Sequence, residues 1–173
     1  MAKKSPIAIF DSGVGGLTVA RQLHRILPGE KLIYFGDTAR VPYGTKSPEI
    51  IKQYAIQITQ FLSSFDPKMI VIACHSVSSI GKTFLKRRFP GYVFFDVIEP
   101  SIEDALKSTR NKRIGVIGTP ATISSDRYVS MIKSVDASVC TYQKACPLLV
   151  PFVEEGWLEG DVVEAVIKRY IEG

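Results

Sequence analysis

The chain has 173 residues, of which 46% are hydrophobic, 23% charged and 10% aromatic. That composition suits one globular domain or two small lobes and excludes a disordered or collagen-like chain. Lysine and arginine outnumber aspartate and glutamate by 22 to 17, for a net charge of +5. The basic residues cluster only at Lys86-Arg87-Arg88 and from Arg110 to Arg113, without zinc-ligand spacing or an RNA-binding aromatic set, so nucleic acid is not an expected partner. No apolar run nears the roughly 18 residues of a membrane span, and Met1 to Pro6 lacks the apolar stretch of a signal peptide. A cytoplasmic protein is expected, with no membrane partner. Cys74, Cys140 and Cys146 are an odd number, which argues against a disulfide framework.

In chain order, short β-branched or aromatic runs fall at Ile7 to Phe10, Leu32 to Phe35, Met69 to Ala73, Tyr92 to Val97, Arg113 to Ile117 and Ser138 to Tyr142. Helix-like stretches separate them, which is βαβ rhythm. The first helix puts Leu17, Ala20, Leu23 and Leu27 on one face. The second follows Ser47-Pro48, a cap and then proline at the first helical position, and aligns Ile50, Ile51, Tyr54, Ile58, Phe61 and Leu62. The first three strands are almost wholly apolar, as parallel strands covered on both faces should be. The fold class is therefore α/β, with parallel sheets covered by helices.

Glu99-Pro100 and the polar run from Lys107 to Lys112 mark the expected boundary between two lobes, 1–98 and 99–173, because proline discourages continuation of the preceding element. The second lobe is expected to hold strands near Arg113 and Ser138 and helices after Ser124 and Cys146. Its last helix should open at Asp161, with Glu164 completing an Asp-x-x-Glu capping box. Two strands make a thin lobe, since about three are needed for an independently stable sheet.

The unusual polar residues come just after strands: Asp11-Ser12, Gly36-Asp37-Thr38, Cys74-His75-Ser76 and Thr119. In an open parallel sheet these positions share the carboxyl edge, where ligands bind. Asp11 to Gly16 invites a dinucleotide reading with Asp37 on the ribose, but a fingerprint starting at Gly13 needs glycine where Thr18 stands. The better reading is a tight turn whose free N–H groups receive a small carboxylate, with Asp11 bonded to an ammonium or a thiol. The plainer alternative is that Asp11 only caps the helix.

Cys74 lies where a following helix would favour its thiolate, although a lone cysteine beside a strand is as readily a small buried apolar residue. His75, on the residues alone, is read as facing solvent. Cys140 is read as packing within a strand and Cys146 as structural. Tyr43, in the loop Pro42-Tyr43-Gly44, either packs or belongs to a rigid loop closing over the carboxyl edge.

Taken together, these segments resemble the glutamate racemases of the aspartate/glutamate racemase superfamily. The matching stretches are Asp11 to Val19, Tyr34 to Gly44, Ile98-Glu99-Pro100, Ile114 to Thr119 with Ala121-Thr122-Ile123, and Cys146-Pro147-Leu148. The resemblance implies cofactor-independent, metal-free inversion of glutamate, supplying the D-isomer for bacterial peptidoglycan. Two cysteines act from opposite sides of the α-carbon in a cleft between two α/β domains, and Cys74 matches the first. Asp11, Ser12, Tyr43, Gly44, His75 and Ser76 would contact substrate, with Thr119 and Thr122 across the cleft.

Two departures follow from the same comparison. His75-Ser76 stands where the family usually has Asn-Thr, which alters the ligand set. The second cysteine, expected in a Gly-Cys-Thr-His-Tyr-Pro-like segment, has no counterpart before Gly173. A shortened racemase is therefore expected, weak or inactive by itself, with low stability or self-association from an uncovered sheet edge. The rival readings are a non-catalytic carboxylate-binding protein and a one-base enzyme acting through Cys74.

Overall fold

The computed structural model describes residues 5–172. β1 (Ile7–Asp11), β2 (Leu32–Gly36), β3 (Met69–Ile72) and β4 (Phe94–Asp96) form one parallel sheet in the order β2-β1-β3-β4. Between them run α1 (Leu17–Ile26), α2 (Pro48–Ser63) and α3 (His75–Arg88). The chain continues through α4 (Ile98–Ser108), β5 (Arg113–Gly118), α5 (Pro120–Ser124), α6 (Arg127–Val135), β6 (Cys140–Ala145), α7 (Leu149–Glu154) and α8 (Asp161–Glu172). β5 and β6 pair in parallel as a second sheet, from Arg113 opposite Cys140 to Gly118 opposite Ala145.

The period of two along β1 and β3 divides the core of the first sheet. Ala8, Phe10, Ile70 and Ile72 face Ile51, Ala55, Ile58 and Leu62 of α2 and Val77 and Leu85 of α3. Ile7, Ile9 and Val71 face the other way, against Val19, Ala20 and Leu23 of α1. Central β1 is buried along its whole length, as an apolar strand paired on both edges must be. α2 starts as its sequence says: the Ser47 hydroxyl accepts from the Ile50 N–H at 3.4 Å and Pro48 opens the helix.

Several expectations need correction. The apolar face of α1 is narrower than its spacing suggests, because Leu17 and Leu27 lie toward solvent at the two ends of the helix. β4 ends before Pro100, at Asp96, but the proline does not interrupt the helix that follows. It occupies the first turn of α4, where its missing N–H has no intrahelical partner to lose, while Asp96 Oδ1 accepts from the N–H groups of Ile98 and Glu99. β6 begins at Cys140 rather than at Ser138, which sits in a turn bonded to Asp136. Cys140 is exposed, since it opens β6 on the uncovered face of the second sheet and does not pack. Asp161 is the first helical residue of α8 and follows Gly160 at φ 102°, so the cap lies one residue earlier than the capping-box reading placed it.

A separate core cluster beside the β5–β6 sheet gathers Ile98 and Ile102 of α4, Ile132 of α6 and Val139. That sheet is covered on one face only, with Ile117 60% exposed and Tyr142 56% exposed on the other. No helix among the described residues is long and apolar enough to cross a membrane.

Candidate functional site

At the carboxyl edge of the first sheet, facing α7, lies a cavity of about 370 Å³. Asp11, Ser12, Tyr43, Gly44, Cys74, His75, Ser76 and Thr119 all line it. Thr122 does not. It lines a neighbouring cavity of about 480 Å³ over β5, which His75 and Thr119 also border. Parallel pairing accounts for the gathering: strands of one direction end on one edge, and each hands its next residues to that edge.

Cys74 is the last extended residue before α3, at φ −82° and ψ 119°, and its buried thiol donates to Ser12 Oγ at 3.3 Å. Burial and the Asp11 carboxylate push that thiol above its ordinary value, while contacts with Ser12 and the Val77 N–H pull it down. The helix start expected to favour a thiolate is present, yet desolvation and a neighbouring anion outweigh it.

Asp11 caps the turn through one carboxylate oxygen and also lines the cavity. Its Oδ2 accepts from the N–H of Gly13 at 3.2 Å and of Gly16 at 2.9 Å, so two turn donors expected to be open to a ligand are already taken. A Cβ on Gly16 would stand 2.6 Å from Asp11 Cβ, which explains glycine at that position. Asp37 accepts from Arg40 Nε at 2.6 Å and from the Tyr43 hydroxyl, leaving nothing of the ribose-binding role. Tyr43 therefore packs its ring against Tyr54 and spends its hydroxyl on Asp37, whose hydrogen bond joins burial in raising the phenol's pKa.

The loop after β2 closes on the start of α5. The Ala121 N–H donates to the Gly44 carbonyl at 2.9 Å, and a Cβ on Gly44 would stand 2.3 Å from Thr119 Cβ. Hydroxyls continue the junction: Ser76 Oγ lies 3.0 Å from Thr119 Oγ1, which lies 3.1 Å from Thr122 Oγ1. Thr119 also caps α5 ahead of Pro120, the same cap-then-proline signal read at Ser47-Pro48 but passed over here. The His75 ring stacks on Tyr128 of α6 at 6.5 Å and 13°.

Two residues were missed, one that holds the turn behind the cavity and one that lines it. The Tyr34 hydroxyl donates to the Gly13 carbonyl at 2.9 Å, and burial, Asp11 and Cys74 raise it to about 12. Glu154 reaches the cavity from α7, with Oε1 2.6 Å from where a Gly13 Cβ would sit. Burial, then Asp11 and Glu155, push its carboxyl up. An acid at a helix end ordinarily reads as solvated surface, so the sequence carried no signal for it.

No family model matches the chain. It is 46% identical over 168 residues to the glutamate racemase of Chlorobium phaeobacteroides, a match covering 97% of this chain and 62% of that protein. To the Aquifex aeolicus glutamate racemase it is 45% identical over 166 residues, covering 96% and 64%. The Francisella tularensis glutamate racemase structure, in complex with D-glutamate, superposes with a TM-score of 0.91 at 40% identity, covering 97% and 63%. The Campylobacter jejuni glutamate racemase structure does so with a TM-score of 0.90 at 35% identity, covering 97% and 67%. The chain belongs to the glutamate racemase family. It spans 62% to 64% of the length of these curated relatives.

Within that family frame, Cys74 is the one cysteine of this chain lining the cavity. Cys146 is buried on the wall of the neighbouring cavity, its Sγ 3.6 Å from the Lys144 carbonyl, and Cys140 opens β6 in solvent. Among the described residues no group of three or more histidine, cysteine, aspartate or glutamate side chains is placed to hold a metal ion.

Proposed function

We propose that the chain forms the glutamate-binding, Cys74-bearing part of a cofactor-independent cytoplasmic glutamate racemase that supplies D-glutamate for peptidoglycan, with lobes 1–98 and 99–173. The observation that carries this reading is the Cys74 thiol beside Ser12 and Asp11 in a cavity large enough for an amino acid. Relatives named glutamate racemase, one solved with D-glutamate, support the substrate.

The chemistry follows from charge. Free, the buried thiol is held protonated by desolvation and by Asp11. Glutamate brings an ammonium, and pairing it with the Asp11 carboxylate cancels the repulsion that opposes a thiolate. The thiolate then takes the α-hydrogen as a proton, and the bond pair left on the α-carbon delocalises into the adjacent carboxylate. Ser12, Ser76 and Thr119 offer hydroxyls to the carboxylates. Inversion requires a proton delivered to the opposite face, where no second cysteine of the 173 residues stands. The test is proton NMR of D- and L-glutamate in deuterated water with this chain. Loss of the α-proton signal that depends on Cys74 supports the reading, and no exchange and no binding refutes it.

A further inference from the structure

The chain carries 22 lysines and arginines, yet none of the residues lining the 370 Å³ cavity is either. Two carboxylates line it, Asp11 and Glu154. Glutamate offers one ammonium, which Asp11 suits, and two carboxylates, which two acids repel. Neutral hydroxyls and one imidazole are the side-chain groups left to receive those carboxylates. The imidazole is His75, first residue of α3, held by its stack on Tyr128 where the two cavities meet.

The charges around that ring are specific. Asp11 of β1 and Asp96 of β4 act on it, Tyr128 of α6 covers one face, and Cys74 precedes it. Lys82 is committed elsewhere, with Nζ 2.9 Å from Asp96 Oδ2 and 2.6 Å from Glu99 Oε1, and Arg127, whose Nη2 lies 3.9 Å from Glu99 Oε1, does not line the cavity.

We propose that His75 receives a substrate carboxylate as imidazolium, so that glutamate enters the cavity together with one proton. This rests on the cavity being the glutamate site. The ring keeps an exposed edge, as its sequence reading had it, while desolvation by the atoms around it holds the free imidazole below its ordinary value and toward the neutral form, with Asp11 and Asp96 pulling the other way. A carboxylate set against the ring favours the charged form and raises its pKa in the complex. The complex therefore binds more protons than the free protein. Affinity rises as pH falls through the window between the two pKa values, by up to about tenfold per pH unit, and is flat outside it. Glu154 would give a dependence of the same sign, since protonating its raised carboxyl removes a negative charge facing the anion.

The experiment uses the 173-residue chain and D-glutamate. Calorimetry in buffers of different ionisation enthalpy counts protons taken up, and NMR of the imidazole rings follows titration from about pH 5 to pH 8. The other histidine, His24, is exposed on α1 and serves as the internal reference. Expected are uptake approaching one proton and an upward move of the His75 midpoint on binding, with His24 unmoved. His75→Asn, which keeps a donor, should bind with the imidazole's share of the uptake gone, and adding Glu154→Gln should leave affinity flat across the range. His75→Phe keeps a ring for Tyr128 and should also lose that share, separating charge from packing. Glu154→Gln should retain it. Binding with an unmoved His75 midpoint, or uptake undiminished by His75→Asn, overturns the proposal and leaves the glutamate site standing. Failure of D-glutamate to shift any resonance of Ser12, Cys74 or Ser76 overturns both.

Discussion

The Cys74 thiol donates to the Ser12 hydroxyl at 3.3 Å, tying the end of β3 to the turn after β1 across 62 residues of sequence. The same turn brings in Asp11, so the group that orders the thiol and the charge that suppresses its ionisation come from adjacent residues. Thiolate reactivity at this site is therefore set by a balance that single substitutions can tip.

Asp11→Asn removes the negative charge yet keeps an oxygen for the Gly13 and Gly16 N–H groups. Alkylation of Cys74 should become faster at a fixed pH, and the midpoint of its rate against pH should move down toward the ordinary thiol value. Ser12→Ala removes a contact that favours the thiolate and should move the midpoint up. Iodoacetamide kinetics with peptide mass analysis, which separates Cys74 from exposed Cys140, measures both; shifts of the opposite sign would show that Asp11 does not act on this thiol.

The 173-residue chain should exchange the α-hydrogen of one glutamate enantiomer with solvent and invert neither. A single thiolate removes and returns a proton on one face. Inversion lacks a donor on the other, and a positioned acid or base is worth about 10²- to 10⁴-fold in rate. Cys74→Ser should abolish exchange and retain binding, because a hydroxyl is a far weaker acid than a thiol. Chiral chromatography beside the NMR assay checks this; equal exchange of both enantiomers, or exchange indifferent to Cys74→Ser, would exclude Cys74 as the base.

Gly44→Ala should destabilise the chain by about 1–3 kcal/mol, the usual range for an overpacked site. The added methyl would stand 2.3 Å from Thr119 Cβ and wedge the β2 loop away from α5. Thermal unfolding of Gly44→Ala beside Gly44→Ala/Thr119→Ser, which removes one clashing methyl, separates the clash from backbone effects. The double variant should regain part of the loss.

Lys82→Met should cost about 3–5 kcal/mol, because it leaves the Asp96 carboxylate buried without its cation. The Lys82 side chain is 4% exposed and that of Asp96 is 0% exposed, so water cannot substitute. Adding Asp96→Asn removes the stranded charge and should recover part of the loss, since Asn can still accept from the Ile98 and Glu99 N–H groups. Denaturant titration of the two singles and the double reads the coupling directly.

Self-association is expected through the uncovered face and edges of the β5–β6 sheet, where Ile117 and Tyr142 are exposed. Sedimentation velocity should show mass above the monomer that falls with Ile117→Lys and Tyr142→Lys. A monomer at all concentrations would count against it.

Much of this architecture was readable before any coordinates. The apolar runs of β1 to β3, the Ser47-Pro48 helix start and the polar residues after each strand are local features. Local features decide where strands end, and parallel pairing then puts those ends on one edge. The errors were local too. Leu17 and Leu27 read as part of the covered face of α1 because spacing does not say where a helix leaves its sheet, and Cys140 read as packing because alternation does not say which face is covered.

What sequence determined by itself was the set of elements, the family, and the strand-end segments that meet at the cavity. What only the tertiary structure decided was the partnership of the charged and nucleophilic groups. Asp11 turns to Gly13 and Gly16, Tyr43 to Asp37, Lys82 to Asp96, and Glu154 comes in from α7. The sign of the Cys74 shift belongs to the same class. A helix start beside the thiol can be read from the chain, but the cost of removing an ion from water depends on every atom packed around it, and those atoms come from β1, α3 and the turns between.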